Sequence, residues 1–326
     1  MSASLVVDQE LLAIHGAETI AKGSKSFAFA SIFLGRESRE RAQMLYAWCR
    51  YCDDVIDGQD LGGDAPDPDI EQGKHRALLH DLREQTQRAI NGEALGILAF
   101  DAFGAVIRGT DIPHRFPFEL LDGFQMDVDR VEIKTDGDLM RYCYSVAGVV
   151  GVMMAVIMGV SPDDEETLER ACDLGLAFQL TNICRDVIDD AKGDRVYLPS
   201  DRLKAHGIDP SPQGILATEN RADVFKVVSD LLERADAYYL SASEGIKRLP
   251  FRAGTAIFAA RNIYRAIGEK LGRNGPAAWD QRIVVSKFEK MSLASKGIAS
   301  AMLLSAFSRH KPLDQRPDLW SGPISG

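Results

Sequence analysis

The stretch QLTNICRDVIDDAKG, residues 179–193, is echoed by RYCDDVIDG, residues 50–58. Asp54-Val-Ile-Asp57 recurs as Asp186-Val-Ile-Asp189, with Asp53 beside the first copy and Asp190 beside the second. Four matching residues are too few to prove a duplication. In each copy, aspartates stand four apart with another at three, a spacing that puts carboxylates on one face of a helix. Both copies run into helix-ending sequence, Gly58 and Lys192-Gly193. Carboxylates there face the negative end of the helix dipole, at roughly 0.3–1 kcal/mol each. An exposed acidic helix end is one reading, and a site for hard divalent cations is the other. Two clusters with flanking Arg50 and Arg185 favour the second. Arg50, Arg185 and, a loop later, Arg195 carry forks that suit phosphate oxygens, although Arg50 is equally placed to pair with its own aspartates.

Working outward, the pattern is helical nearly throughout, with breaks at Gly and Pro. Helices are expected near 8–22, 38–57, 70–91, 96–109, 117–128, 137–160, 163–190, 218–247, 250–273 and 280–308. Loops are expected at 62–68, 112–117, 193–212 and 272–276. Ser161-Pro162-Asp163-Asp164 reads as a helix start, Pro250 as another, and Gly272 as a helix end. No Gly/Ser linker divides the chain, so the expectation is one all-α domain over 1–311 with an irregular tail at 312–326.

Tyr142 to Pro162 carries no charge, and its 15 most apolar residues, 146–160, span about 22 Å, short of the roughly 30 Å of a bilayer core. A buried helix is therefore expected. Its Ala147, Gly148 and Gly151 either allow close helix packing or make room for a long ligand.

The 326 residues carry a net charge of −10, which argues against a nucleic-acid partner. From Gly245 onward the net charge is +9, so the rest is strongly acidic. Chance clustering on solvated faces and a basic surface for an anionic partner are both compatible with this. Between Arg282 and His310, Val284, Phe288, Met291, Ile298 and Met302 recur at helical spacing among Lys287, Lys290 and Lys296. An ordinary core-facing helix and a peripheral contact with anionic membrane both fit. The five cysteines show no zinc spacing, with Cys49 and Cys52 the one CxxC, and read as reduced thiols of a cytoplasmic protein. The first residues lack a basic n-region, and neither a Walker loop nor a GxGxxG occurs.

The segments YAWCRYCDDVIDG (46–58), MDVDRVEIKTDGDLMRYCYSVAGVVGVMM (126–154), DLGLAFQLTNICRDVIDDAKGDRVYLP (173–199) and AARNIYRAIG (259–268) closely resemble the bacterial phytoene synthases of the squalene/phytoene synthase family. The resemblance implies the single-domain isoprenoid-synthase helical fold with a central apolar cavity. It implies a Mg²⁺-dependent head-to-head condensation of two geranylgeranyl diphosphates, through a cyclopropyl diphosphate, to phytoene. By the same resemblance, Asp53, Asp57, Asp186 and Asp190 hold Mg²⁺ (Mn²⁺ substituting), with Asn182 a further ligand. Arg50, Arg185 and Arg261 hold diphosphate, Tyr46, Tyr142 and Gln179 line the reacting centre, and Ser24 and Ser26 form a flap. Ala147 and Gly151 belong to the chain-binding wall. NADPH is not expected, and a downstream carotenoid desaturase is an expected contact. Rivals are a squalene-type C30 enzyme, a chain-elongating prenyl transferase, which the YCYSVAGVVG helix disfavours, and a catalytically dead scaffold, which the intact acid clusters disfavour.

Overall fold

Apolar residues at three- and four-residue spacing need a partner helix, and the chain meets that need by packing helix on helix. A computed structural model describes residues 8–58, 68–305, 313, 316 and 319–324, and among these there is no strand. The chain groups into two compact units, Met1–Val131 with Met153–Asp164, and Glu132–Val152 with Glu165–Gly326.

The first unit holds α1 (Gln9–Gly23), α2 (Lys25–Ser31), α3 (Arg36–Asp57), α4 (Pro68–Ile90), α5 (Leu98–Arg108) and α6 (Arg115–Val128). Helices α1, α3 and α5 pack together around Leu12, Leu45, Trp48, Phe100 and Phe103, all buried. Trp48 stacks on Phe103 with ring centroids 4.2 Å apart. Each such fully buried side chain stabilises the fold by about 1.5–3 kcal/mol. Gly16 lets α1 press on α3, because a Cβ there would meet the Gln43 and Met44 backbone at 2.9 Å. Helix α3 stops at Gly58, whose φ of 65° is the left-handed C-terminal stop that glycine takes without strain. Asp53 and Asp57 thereby fall in its last turns.

The second unit begins with α7 (Asp136–Cys143), opened by a reciprocal cap between Thr135 and Asp138. A π turn, Tyr144–Gly148, follows, and α8 (Val149–Ile157) continues the same helix, its residues from Met153 onward belonging to the first unit. Helix α9 (Glu165–Lys192) packs on that turn and on α12 (Arg221–Ile246) and α13 (Phe251–Asn274). Two short helices, α10 (Ser200–Ala205) and α11 (Pro212–Leu216), lie between α9 and α12 in sequence, and α14 (Lys287–Ser305) packs on α13. Within this core the Thr181 and Tyr239 hydroxyls are 2.9 Å apart, and Phe178 stacks on Tyr264.

The all-α expectation holds, with local corrections. Helix α9 starts at Glu165, because Ser161 closes a turn onto the amides of Asp163 and Asp164 instead of capping the helix. Helix α13 runs through Gly272 to Asn274, and Gly275 (φ 61°) ends it. Helices α2, α10 and α11 interrupt stretches read as loop or left unassigned. The helix expected at 137–160 runs Asp136–Ile157, 22 residues or about 33 Å, so it is longer than the 15-residue apolar stretch from which a span was judged too short. Length therefore does not exclude a membrane span, but 67% of its apolar window is buried against protein, as a core helix requires. The expected loop at 62–68 lies outside the described residues except for Pro68. The described tail residues are irregular.

Candidate active site

On α3, Tyr46, Arg50, Asp53 and Asp57 follow one another at four, three and four residues, one stripe of the helix. Arg50 bonds Asp53 at 3.1 Å and Asp54 at 2.5 Å, so the intrahelical pairing left open by the sequence is present. One guanidinium does not offset the crowd. Asp53 is pushed up to about 6, first by burial and then by the Asp57 charge, against the pull of Arg50. Asp127 on α6 adds to the same field. Sequence reasoning missed Asp127, although it sits in the MDVDR run. Tyr46 reaches the α1–α2 junction: a Cβ on Gly23 would collide with its hydroxyl, and its ring lies 6.4 Å from that of Phe27. Ser24 caps α2 by accepting the Phe27 amide at 3.3 Å, and Ser26 is half-buried within α2.

On α9, Gln179, Asn182, Asp186 and Asp190 follow at three, four and four residues and again share a stripe. Arg185 Nε donates to Asp186 Oδ1 at 2.8 Å, and its Nη2 to Asp186 Oδ2. Asp190 is pushed up to about 7, first by burial and next by the Asp186 charge, with Arg195 opposing. Past the helix end, Gly193 N–H bonds the Asp189 carbonyl at 3.1 Å and Arg195 N–H the Asp190 carbonyl at 2.9 Å. Asp194 takes a φ of 61°. This reversal puts Asp190, Arg195 and Tyr197 around a small cleft, lined also by Ile183, Val187 and Ile215. Arg195 Nη1 is 3.5 Å from the Tyr197 hydroxyl. Tyr197, a second residue the sequence reading missed, stacks on Tyr142 at 4.9 Å and 22°. No motif spacing links those two tyrosines, whereas the loop that brings them together is pinned by Ser200 N–H to the Ile133 carbonyl and by Arg202 to Asp136.

Two expected ligand contacts, Arg261 and Gly151, also carry structural duties. Arg261 is buried, with its Nε donating to the Tyr239 carbonyl at 2.9 Å and its Nη1 to Asn262 at 3.0 Å, tying α13 to α12. A Cβ on Gly151 would run into the Ala171 carbonyl, and one on Gly148 would meet Cys172 Sγ at 2.9 Å. Gly175 presents its Cα to the Ala147 carbonyl with equally little room. The small residues of this helix therefore allow close packing on α9, the first of the two readings that the sequence left open for Gly148 and Gly151. Ala147 remains half-buried beside that contact.

Every candidate metal ligand offers oxygen, the donor set of Mg²⁺ and not of a thiolate or imidazole metal. Among the described residues no three His, Cys, Asp or Glu side chains are placed to hold one ion between them. The set fits a cation that completes its shell with water and substrate phosphate.

The chain belongs to the squalene/phytoene synthase family, whose profile matches residues 20–289, and is an enzyme of the prenyl transferase class. Within that family it resembles the bacterial phytoene synthases. It is 45% identical over 311 residues to the 15-cis-phytoene synthase of Pantoea ananas, covering 95% of this chain and 97% of the relative. It is 43% identical over 314 residues to that of Paracoccus sp., covering 94% and 98%. Among solved structures, a dehydrosqualene synthase superposes with a TM-score of 0.77 at 24% identity, over 90% of this chain and 98% of the other. The squalene synthase of Alicyclobacillus acidocaldarius gives 0.70 at 25%, over 83% and 97%.

Proposed function

We propose that the enzyme condenses two geranylgeranyl diphosphates head to head, through a cyclopropyl diphosphate, to phytoene, with Mg²⁺ and without NADPH. The observation that carries the reading is the pair of carboxylate stripes, each holding an aspartate pushed toward neutrality by burial and then by a neighbouring carboxylate. Asp53 and Asp57 on one helix, and Asn182, Asp186 and Asp190 on the other, would hold Mg²⁺. Bound there with diphosphate, the metal supplies charge neutralisation for a departing anionic group. Arg50 and Arg185, which pair with neighbouring aspartates, and Arg195, close to Asp190, would offer their forks to diphosphate oxygens. Tyr46, Tyr142 and Gln179 border the allylic cation, and Ser24 and Ser26 cover the diphosphates. Ala147 and the apolar helix around it keep water from the cation. Released diphosphate would be the candidate acceptor of the final proton.

Purified protein offered C15 and C20 diphosphates separately, with Mg²⁺ and no reductant, tests the reading. C40 triene from the C20 substrate supports it. EDTA should silence turnover and Mg²⁺ or Mn²⁺ restore it. Activity that survives EDTA contradicts the metal assignment.

A second reading concerns location. Val284, Phe288 and Met291 are 65%, 85% and 62% exposed, so they are not the core-facing residues of an ordinary helix. Arg282 and Lys287 beside them are exposed as well. This apolar patch among cations suits peripheral contact with the anionic surface of a cytoplasmic membrane, where an insoluble C40 product and a carotenoid desaturase would meet. The side chains of Lys296, Ile298 and Met302 lie outside those described.

A further inference from the structure

We propose that the C-terminal residues Arg316 and Trp320 are positioning residues for the reaction: they clamp Tyr144, the first residue of the π turn, and so fix Tyr142 at the reacting centre. The proposal rests on the placement of Tyr142 given above.

The clamp begins at a buried charge. Asp173 on α9 is 0% exposed and accepts Arg316 Nε at 2.9 Å and Nη2 at 2.5 Å, with Ser241 Oγ as a further donor. Arg170 Nη1 donates to the same Ser241 at 2.6 Å. A two-pronged guanidinium–carboxylate pair is directional as well as strong. Taking one partner from a buried pair is strongly destabilising, so the tail has a fixed anchor. Arg316 also orders the tail itself, donating to the Ser321 hydroxyl at 2.7 Å and the Trp320 carbonyl at 3.1 Å.

From that anchor the tail grips one side chain. Trp320 N–H donates to the buried Tyr238 hydroxyl at 3.1 Å. The Trp320 ring lies 5.8 Å from that of Tyr144, tilted by 59°. The Tyr144 hydroxyl donates to the Pro323 carbonyl at 3.4 Å. Gly322 sits so close to the Tyr144 ring that a Cβ could not be added without moving it, and Ile324 beyond is buried.

Tyr144 opens the π turn, a ladder rarely stable by itself and frequent at functional sites. Two residues earlier, Tyr142 projects about 200° around the helix and stacks on Tyr197 beside Arg195. Holding Tyr144 therefore sets the rotation at which Tyr142 is presented. An error of about 1 Å at a reacting group can cost up to ~100-fold in rate, so the clamp has catalytic leverage.

The test uses the full chain with geranylgeranyl diphosphate and saturating Mg²⁺, well below each variant's melting temperature. Trp320→Ala should lower kcat about tenfold and leave KM within about twofold. Trp320→Phe, which keeps a ring on Tyr144, should recover most of the loss. Gly322→Ala, a one-methyl change that pushes Tyr144 directly, should lower kcat in the same way and carries the test if Trp320→Ala fails to fold. Tyr142→Phe combined with either should be no slower than Tyr142→Phe alone, because the tail acts through that residue. Losses that multiply in the double variants, or wild-type kcat in both tail variants, overturn the proposal and leave the reading of Tyr142 standing. Wild-type kcat in Tyr142→Phe itself overturns that reading and the proposal with it.

Discussion

Asp190 titrates near 7 and Asp53 near 6, each raised by burial and by neighbouring carboxylates from an ordinary value of 3.8. The folded chain therefore holds more protons at these groups than the unfolded chain between about pH 4 and 7. Their contribution to stability falls as pH rises through that window. Without metal, Asp190→Asn should accordingly raise the melting temperature at about pH 8, and with Mg²⁺ it should abolish most turnover; thermal unfolding checks the first and a turnover assay the second. A lowered melting temperature at that pH would contradict the crowding account. The wild type at limiting Mg²⁺ should lose activity as pH falls from about 8 to 6, and regain it on adding Mg²⁺, because protons and metal compete for the same carboxylates. At this scale the aspartates and arginines of both helix ends were legible, since spacing alone puts them on one face. Asp127 and Tyr197 were not, because each meets the site only through tertiary packing.

Elements were legible wherever an apolar stripe ran long enough to demand burial, and poorly so where a cap signal stood alone. Ser161-Pro162-Asp163-Asp164 carries every mark of a helix start, yet its hydroxyl and carbonyl close a separate turn. The π turn at Tyr144–Gly148 leaves no compositional trace, since it changes the hydrogen-bond ladder and not the residue types. The same turn leads into the closest approach of α8 to α9, at Gly151 and Ala171. Gly151→Leu should therefore lower the melting temperature, an overpacking effect of about 1–3 kcal/mol. It should leave C15/C20 preference unchanged in the folded fraction, as product analysis beside calorimetry would reveal. A shortened chain preference at unchanged stability would return Gly151 to the substrate wall.

At the scale of the whole molecule, the −10 net charge conceals a basic C-terminal quarter. That asymmetry was visible in sequence, but whether Phe288 and Met291 face protein or solvent was not, because periodicity describes a core-facing and a lipid-facing stripe alike. Their exposure favours the latter. Phe288→Ser should reduce flotation with anionic liposomes more than it reduces soluble turnover, and added salt should weaken the wild type's binding. Flotation indifferent to both salt and lipid charge would remove the electrostatic part of that reading. The docking of the tail was hidden for a related reason: Arg316 and Asp173 are 143 residues apart in sequence, and no spacing pattern links them. Above these features stands the claim that the carboxylate stripes serve head-to-head condensation ended by proton loss. A time course with geranylgeranyl diphosphate, Mg²⁺ and no NADPH tests it most directly. The account predicts a C40 cyclopropyl diphosphate that rises and is consumed as phytoene accumulates; C40 hydrocarbon formed only when NADPH is added, or turnover of C15 diphosphate alone, would contradict it.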